Sequence, residues 1–565
     1  MITTQKGFRG IDRRKTLSSD LSTALNTVNF RITDSGSLEK RPAVIEKYRL
    51  PGNIDGLWSG MFQGKELVAA VSLGRLFTVD PTLENGEMNY IGNVGGGKCQ
   101  IFEFNNALYI KSDSYYGKFD GTHLRSVEGY IPIVAIGCTP SGDGEPFEQL
   151  NLLTSKRRQL FSGDGQSVLY TLSEENIDSI VSVKVDGVDY DKQFSLENRR
   201  DVSFEFPPAS GLNNVEITYQ KAADPTDRDR IIKCTRVMLF GGNSDGRAFL
   251  WGNAELPNYR FHSDLANGIP SVEYFPVNAF TVIGNSKINC IVQQYDRQLI
   301  FTKNEAYYSY SELRTDRFGN TVSSFPVFSL NSSKGSITEC NGCIIDNSPV
   351  TLCDDGFNRW ESTSIVNERN AVCFSAPINE LIRSTDPETI KFFDFQSKRE
   401  FFCIIGSKAV VYNYGNGAWY CFDGFECEHF SVLGGKLYFS NGASIFVFSD
   451  SNGMDKTVCT LETPFITNNC DVSNFDVTMC EADIFIGGES RIRFTLEKSD
   501  GTARTVKFGY PSGTNRFFRI RMRPSLKRAM PFRLNIRANG DGALAIHGIT
   551  IKTRQKERSK KYGIL

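Results

Sequence analysis

The sequence predicts an all-β chain: a β-propeller with an inserted small β-sandwich and a C-terminal β-sandwich. Two observations support this fold class. Pairs of apolar stretches joined by tight polar turns recur down the chain, and its 565 residues include 42 Phe, 21 Tyr and 50 Gly, with few helical stretches. Aromatic residues favour strands, and glycine favours the turns between them. Because one hairpin cannot bury its apolar face alone, a ring of small sheets is the expected solution.

The recurrent hairpins are the predicted propeller blades. Each has an apolar strand, a polar turn and a second apolar strand closed by an aromatic or Asp/Gly pair. Starts at residues 299, 350, 401 and 437 fit loosely the period of ~40–50 residues expected of blades. The hairpins cover residues 67–79, 108–119, 237–251, 299–310, 350–360, 401–419 and 437–448.

Changes in the spacing of these hairpins divide the chain into six predicted segments. About 130 residues separate the second hairpin from the third, and removing one insert of about 90 residues restores the period. Only residues 18–26 and 379–383 have a helical pattern. The predicted segments are an N-terminal arm with the first propeller strands at 1–50, propeller at 51–138, an inserted β-sandwich at 139–232, propeller again at 233–455, a C-terminal β-sandwich at 456–551 and a basic tail at 552–565.

The N-terminus and the apolar runs predict a protein folded in a cytoplasm. The first residues, MITTQK, lead into Gly and Arg and not into the apolar core of a signal peptide. No run approaches the ~18 apolar residues of a membrane span. Fourteen cysteines in such a chain are expected to be reduced and mostly buried.

The net charge of −1 conceals a strong asymmetry. Residues 501–565 hold sixteen Lys/Arg and two acids, a balance of +14, which leaves −15 in residues 1–500. One interpretation is a solvated sheet face with a frayed tail. A second interpretation is a docking face, either for an acidic protein partner or for a phosphate backbone. We favour an acidic protein partner, such as a neighbouring copy of the chain. The candidate interface residues are Arg519, Arg521, Arg523, Arg533, Arg537, Lys552, Arg554, Lys556 and Arg558.

Candidate chemical motifs each have a simpler structural interpretation. Cys340 and Cys343 have metal-ligand spacing, with Cys353 and Cys373 downstream, but the Asn-Gly between the first two also predicts a hairpin turn. The string GNVGGGKC at residues 92–99 resembles a phosphate loop but precedes a predicted strand, where such a loop needs a helix. No convergent acid–base set or nucleophile motif is visible. We therefore predict no metal, no cofactor and no enzyme activity.

Several aromatic residues could instead stack on sugars. The candidates are Tyr115, Tyr116, Tyr307, Tyr308 and Trp360. Packing between blades is the more common role of such residues. Exposed stacking would favour a host-surface glycan binder.

Short strings along the chain resemble one protein family. They are Gly10-Ile11-Asp12, Ala24-Leu25-Asn26, GSLEKRP at residues 36–42, and stretches within 151–165, 247–264 and 298–308. Together they resemble the nozzle-type (tail hub) proteins of short-tailed bacteriophages, the group that includes tail tubular protein B. Residues 456–565 match this group least well.

The resemblance implies a virion structural protein of the phage tail. It implies six copies in a ring below the portal and adaptor proteins, around a channel through which genomic DNA passes without sequence-specific binding. Such a protein would be made in the cytoplasm of the bacterial host, and the family has no catalytic residues to transfer. The alternatives are a glycan-binding tail protein and, less favoured, a wall-degrading hydrolase, which would need a close carboxylate pair in a pocket.

Overall fold

Strands account for most of the regular structure. The structure is a computed structural model, and the residues it describes are 2–5, 7–18, 21–84, 86–222, 224–241, 246–315, 321–339, 342–362, 370–467, 475–509, 516–529 and 531–555. Over these ranges the predicted all-β class is confirmed. The helical segments described are Pro225–Ile232, Asn379–Arg383 and the 3-10 turns Ala376–Ile378, Pro387–Thr389, Gln396–Lys398 and Asp450–Asn452.

One helix prediction is confirmed and the other is wrong. Asn379–Arg383 is helical as expected. Within residues 18–26 the chain instead forms the strand Thr23–Ala24 and enters the strand Asn26–Val28. Asn26–Val28 pairs with Cys459–Glu462 on one side and meets Cys421 on the other. Sheet pairing outweighs the helical pattern because a helix this short is marginal by itself.

Seven units of four antiparallel strands, called sheets 1 to 7, follow one another along the described residues; six are separate sheets, and sheet 6 is one end of a larger sheet. Sheets 1 and 2 contain Ile54–Phe62, Lys65–Ser72, Arg75–Val79 and Asn89–Asn93, then Gln100–Phe104, Ala107–Lys111, Tyr116–Phe119 and Leu124–Ser126. Sheets 3 and 4 contain Arg236–Phe240, Arg247–Trp251, Tyr259–His262 and Phe280–Val282, then Cys290–Gln294, Arg297–Phe301, Ala306–Tyr310 and Val327–Asn331.

Sheets 5 to 7 complete the series. Sheet 5 contains Ile344–Ile345, Ser348–Cys353, Gly356–Trp360 and Ala371–Cys373. Sheet 6 contains Lys391–Phe395, Glu400–Ile405, Lys408–Asn413 and Ala418–Asp423. Sheet 7 contains Phe430–Leu433, Lys436–Asn441, Ser444–Phe448 and, from the other end of the chain, Val44–Arg49. Two small hairpins, Leu265–Ala266 with Ile269–Pro270 and Glu312–Thr315 with Thr321–Ser324, extend from this region.

Tight turns connect many of these strands. Leu73 and Gly74 both have positive φ (50° and 68°), as do Asn105 and Asn106 (48° and 58°). Two consecutive positive-φ residues are the signature of the turn whose twist matches paired antiparallel strands. These turns explain why short polar segments such as SLG interrupt the apolar stretches.

Each sheet contacts the next, and sheet 7 contacts sheet 1. The first strand of one sheet contacts the first strand of the next in four pairs: sheets 1 and 2, sheets 3 and 4, sheets 5 and 6, and sheets 7 and 1. The first strand of sheet 4 contacts Ser348–Cys353 of sheet 5. Between sheets 2 and 3 the Val237 amide donates to Gln100 Oε1 at 2.9 Å. Between sheets 6 and 7 the rings of Phe393 and Phe430 stack at 4.2 Å.

The insert unit consists of two sheets that share one core. Its larger sheet contains Glu145–Pro146, Ile133–Cys138, Lys156–Gly163, Gly211–Gln220, Ser179–Val185 and Val188–Asp189. Its smaller sheet contains Leu169–Thr171, Asp201–Phe204 and Phe194–Glu197. Phe161, Tyr170 and Ile217 are buried between them. The unit begins at Ile133, six residues before the expected boundary, because Ile133–Cys138 pairs with Lys156–Gly163.

The terminal unit combines both ends of the chain. Its first layer contains Arg516–Met522, Phe475–Ile486, Leu544–Gln555, Leu38–Lys40 and Phe30–Ile32, with Ile2–Gln5 paired to Leu544–Gln555. Its second layer contains Leu17–Ser18, Phe465–Ile466, Phe532–Asn539, Cys459–Glu462, Asn26–Val28, Arg491–Lys498 and Ala503–Gly509. This layer continues into sheet 6, where Gly10–Ile11 also bridges Ala418–Asp423.

One core joins the terminal unit to sheets 6 and 7. Phe30 and Ile484 lie in the same buried cluster as Phe402 and Phe448. The strand Leu544–Gln555 runs past residue 551. Lys552 and Arg554 therefore belong to the sheet, although the sequence predicted a tail from residue 552. No helix in the described ranges is both long and apolar enough to span a bilayer.

Candidate functional site

The predicted basic face is divided between two layers of the terminal unit. Arg519 and Arg521 lie on Arg516–Met522 in the first layer, whereas Arg533 and Arg537 lie on Phe532–Asn539 in the second. The two layers enclose a common core, so their solvent-facing sides point in different directions. Arg519 and Arg521 therefore do not share a face with Arg533 and Arg537.

Three of the predicted interface arginines are neutralised within the chain. Arg519 forms a two-pronged pair with Asp483, at 2.6 Å and 2.8 Å, and Arg521 donates to Glu481 at 2.7 Å. Both acids lie on the neighbouring strand directly opposite their partners. Arg533 donates to Glu497 at 3.0 Å and 3.1 Å and also pairs with Glu462. Alternation in the sequence could place the arginines on one side of a strand, but it could not place these acids opposite them.

The other predicted interface residues have different surroundings. Arg523 and Arg537 are exposed, and no ion pair to either is found among the described residues. Lys552 is half-buried, and Arg554 is exposed in register with Asp476. Lys556 and Arg558 lie outside the described residues.

A smaller set of arginines in the second layer forms no ion pair with an acid among the residues that the structure describes. Arg493 lies directly across from Arg537, and Arg491 lies two residues along on the same exposed side. Like charges opposed across a strand pair repel each other. We call Arg491, Arg493 and Arg537 the basic patch. The alternation Arg491-Ile492-Arg493 was visible in the sequence, but its pairing with Arg537 depends on the sheet.

Exposed acidic and apolar residues recur between residues 186 and 206 of the insert unit. Asp186, Asp189, Asp191 and Glu205 are exposed, and the Gln193 amide donates to Glu205 at 3.4 Å. Val188 and Phe206 are 70% and 49% exposed. Two cations lie among them: the Lys192 ammonium is 4.5 Å from the Phe206 ring centre, and Lys184 lies opposite Asp189 in the hairpin. We call the four acids with Val188 and Phe206 the acidic tip.

The candidate metal cysteines are not gathered into a site. Cys343 is buried in the apolar core, where desolvation raises its pKa well above the usual value. The Cys353 thiol donates to the carbonyl of Gly335, and the Cys373 thiol to that of Asp355. Cys340 lies outside the described residues, within which no group of three or more metal-type ligands is found. Eleven described cysteines are free thiols, but Cys290 is disulfide-bonded, contrary to the prediction that all are reduced.

The aromatic residues considered for sugar stacking differ in burial. Tyr116 and Trp360 are buried in the core, and the Trp360 indole donates to Thr351 at 2.8 Å. Tyr115, Tyr307 and Tyr308 are half-buried.

After the glycine-rich string at residues 92–99 the chain continues as the strand Gln100–Phe104, which supports the interpretation of that string as a turn.

Two cavities lie among the first strands of the sheets. The inner cavity has a volume of about 800 Å³. It is bordered by residues of sheets 3 to 7, namely Met238, Ile291, Val292, Gln293, Gly342, Cys343, Ile344, Asp346, Asn347, Phe393, Asp394, Gln396, Arg399, Tyr414 and Phe430. No sequence motif indicated it, because its polar residues come from separate sheets.

The outer cavity measures about 1030 Å³ and contains charges of both signs. Its charged residues are Lys98, Asp113, Arg236, Lys287, Lys303, Glu339, Glu388, Lys391 and Glu428. Arg236 pairs with Glu339 at 3.4 Å, and Lys287 pairs with the same carboxylate. Burial, together with the positive charge of Lys391, Lys98 and Arg236, lowers the pKa of His429 to about 4. His429 is therefore neutral at physiological pH.

The inner cavity contains a carboxyl group with an unusual environment. The Oδ1 atom of Asp394 is buried and accepts no hydrogen bond from the described residues. Burial raises the pKa of Asp394 to about 7, with a further rise from Asp346, against an opposing hydrogen bond with Tyr414. A cavity with converging polar groups and a shifted carboxyl pKa is a typical candidate ligand site.

Comparisons with known proteins show no family for this chain. No protein-family model and no curated protein matches it. Among solved structures it is similar to PorZ, a bacterial surface component of the type-IX secretion system of Porphyromonas gingivalis, at 10% identity and a TM-score of 0.35, over 84% of this chain and 48% of that one. The chain thus spans about half the length of PorZ.

Two further solved structures are similarly distant. AztD from Citrobacter koseri matches at 8% identity and a TM-score of 0.28, over 70% of this chain and 93% of that one. YCF48 from Cyanidioschyzon merolae matches at 8% identity and a TM-score of 0.27, over 73% of this chain and 99% of that one. At these TM-scores the similarities carry no argument about the chain.

Proposed function

We propose that the seven sheets are the blades of a closed seven-bladed β-propeller, with the insert and terminal units as attached β-sandwiches. The contacts that run from each sheet to the next, and from sheet 7 to sheet 1, support this architecture. So does the pairing of Val44–Arg49 with Ser444–Phe448, because a strand from the beginning of the chain then completes the last blade. Circular closure would bury the apolar face of every blade.

We propose that the chain is a structural, non-enzymatic subunit of a ring in the tail of a short-tailed phage. The ring would form part of the nozzle, below the portal and adaptor proteins, and genomic DNA would pass through it without sequence-specific binding. The observation that carries the proposal is the presence of two complementary surfaces, the basic patch and the acidic tip, on separate units of one chain. The resemblance of the N-terminal strings to nozzle proteins supports the location.

The two surfaces favour a repeating head-to-tail contact. If the acidic tip of one copy binds the basic patch of the next, the same contact recurs at every subunit and closes into a ring when the rotation permits. Binding would relieve the repulsion between Arg493 and Arg537 and cover the exposed Val188 and Phe206. Complementary charge would also select the orientation of the contact.

The charge of the remaining chain suits a channel wall. Residues 1–500 carry a net charge of −15, and a surface with few unpaired cations does not hold DNA phosphates. Three of the predicted interface arginines that could bind phosphate, Arg519, Arg521 and Arg533, are neutralised by carboxylates of the same chain. DNA would therefore slide past such a wall.

The test compares the assembly of charge-reversed variants of the full chain. Wild type at micromolar concentration should form rings by mass photometry and negative-stain microscopy, and Arg493→Glu with Arg537→Glu should remain monomeric. The same reversal at Arg523, exposed in the other layer, is the matched control and should assemble normally.

A complementary reversal sharpens this test. A variant with Asp186→Lys, Asp189→Lys and Asp191→Lys should also stay monomeric, and mixing it with the Arg493/Arg537 variant should restore mixed assemblies. Persistence of a monomer in the wild type up to 100 µM, or rings formed by the Arg493/Arg537 variant, would contradict the proposal.

A second candidate function is recognition of a host-surface glycan. The inner cavity, and not the surface aromatic residues, is the observation that favours it.

A further inference from the structure

The inner cavity has the size and the mixed polarity of a small-ligand site. Its volume of about 800 Å³ falls within the range of about 300–1,000 Å³ found for ligand pockets. Its wall includes the stacked rings of Phe393 and Phe430 together with Met238 and Val292. Aromatic and aliphatic walls of this kind bind the apolar face of a ligand.

The charged groups of the cavity come from two neighbouring sheets. Asp394 is the last residue but one of Lys391–Phe395, the first strand of sheet 6. Asp346 lies in the tight turn of sheet 5 between Ile344–Ile345 and Ser348–Cys353. Asp346 and Asn347 both have positive φ (46° and 62°), which gives the turn a defined shape. Arg399 contributes the cation, and its guanidinium lies 5.6 Å from the ring centre of Tyr414.

One carboxylate oxygen of this set has no hydrogen-bond donor among the described residues. The cavity has two carboxylates and one guanidinium, and Asp394 Oδ1 is buried without a donor from the described residues. A buried acceptor without a donor carries a desolvation cost that no hydrogen bond offsets. A ligand that brings donors to Asp394 and Asp346 would recover this cost.

We propose that the inner cavity binds a saccharide, with Asp394 and Asp346 accepting hydrogen bonds from its hydroxyl or amino groups. Arg399 and the side-chain amide of Asn347 would donate to sugar oxygens, since both carry N–H groups. The half-buried ring of Phe430, backed by the buried ring of Phe393, would contact the C–H face of the sugar. This proposal deepens the second candidate function, recognition of a glycan, and does not depend on the basic patch or the acidic tip.

The state of Asp394 makes the proposed binding dependent on pH. The groups that face it are Asp346, whose charge raises its pKa, Tyr414, whose hydrogen bond lowers it, and the guanidinium of Arg399 and the thiol of Cys343 on the cavity wall. Because the carboxyl titrates at about pH 7, it is a carboxylate at pH 8 and mostly protonated at pH 5.5. Affinity for a donor-rich sugar should therefore fall on acidification.

The experiment begins with the full chain on an array of bacterial surface saccharides at pH 8. The glycan retained best is then titrated by calorimetry, beside chitotetraose as an acetylated probe and its deacetylated form as an amino probe. Preference for the amino probe would identify charge pairing as the main contact, and preference for the acetylated probe would identify neutral hydrogen bonding; either result supports the site.

Variants locate the binding. Asp394→Asn and Asp346→Asn should each weaken binding at least tenfold, and wild-type affinity should drop at least tenfold from pH 8 to pH 5.5, with a flat profile in Asp394→Asn. Asp189→Asn, on the distant insert unit, should bind as wild type. The proposal is overturned if the array retains no saccharide, or if both cavity variants bind as tightly as wild type. Unchanged melting temperatures at pH 8 would show that the variants are folded.

Discussion

At the scale of single residues, buried charge is used to hold segments together. Lys111, at the end of a strand of sheet 2, is fully buried, and its ammonium donates to the carbonyls of Ser112, Ile232 and Cys234. Two of these carbonyls lie at the C-terminal end of the helix Pro225–Ile232, where free carbonyls attract a cation. Lys111 thus attaches the chain leaving the insert to sheet 2.

This lysine should give the protein a measurable alkaline stabilisation. Burial lowers the pKa of Lys111 from 10.5 to about 8. Between pH 8 and 10.5 the unfolded chain holds a proton that the folded chain has lost, so the free energy of unfolding rises with pH. Relative to Lys111→Met, wild type should gain about 2–3 kcal/mol across this window, as measured by urea unfolding at pH 7.5, 9 and 10.5. Parallel pH profiles of the two proteins would refute this role.

At the scale of elements, sheet 7 depends on a strand from the other end of the chain. Tyr48 of Val44–Arg49 lies opposite Ile445 and packs in a cluster with Val68 of sheet 1. Its hydroxyl is buried and has no hydrogen-bond partner among the described residues. The ring therefore contributes packing, whereas the hydroxyl contributes a desolvation cost.

Two substitutions of Tyr48 separate these contributions. Tyr48→Ala should lower the free energy of unfolding by about 3–4 kcal/mol, the usual cost of deleting a buried aromatic ring. Tyr48→Phe should leave stability unchanged or raise it by up to about 1 kcal/mol, since it removes an unsatisfied hydroxyl. Chemical denaturation measures both, and hydrogen exchange of Ser444–Phe448 shows whether sheet 7 opens. A Tyr48→Ala variant as stable as wild type would mean that this strand is dispensable.

At the scale of the whole molecule, both ends of the chain contribute strands to the same sheets. Asn26–Val28 lies between Cys459–Glu462 and sheet 6, and Phe30–Ile32 with Leu38–Lys40 extends the layer built on Leu544–Gln555. Arg31 reinforces this arrangement, since it pairs with the buried Glu400 at 2.7 Å and with Asp450 at 2.8 Å. The N-terminal segment therefore connects the terminal unit with sheets 6 and 7.

Truncation tests this arrangement. Deleting residues 1–43 removes strands from both layers and exposes the shared core, so we expect loss of cooperative unfolding and of amide protection in Phe475–Ile486. Deleting only residues 1–5 removes an edge strand and should leave both intact. The measurements are hydrogen exchange and circular dichroism. A cooperative, protected 44–565 fragment would show that the core closes without the N-terminal strands.

The sequence by itself determined the class of fold, one hairpin in each of the seven sheets and several of the turns. Alternating and apolar runs and pairs such as Asp186-Gly187, which has φ values of 52° and 78°, depend on neighbours in the chain, so local chemistry suffices to predict them. Only the tertiary structure decided that Arg519 meets Asp483, that Arg493 faces Arg537, and that Asp346 and Asp394 border one cavity. These juxtapositions join segments far apart in sequence, and their energies arise from packing and desolvation, which no local pattern records.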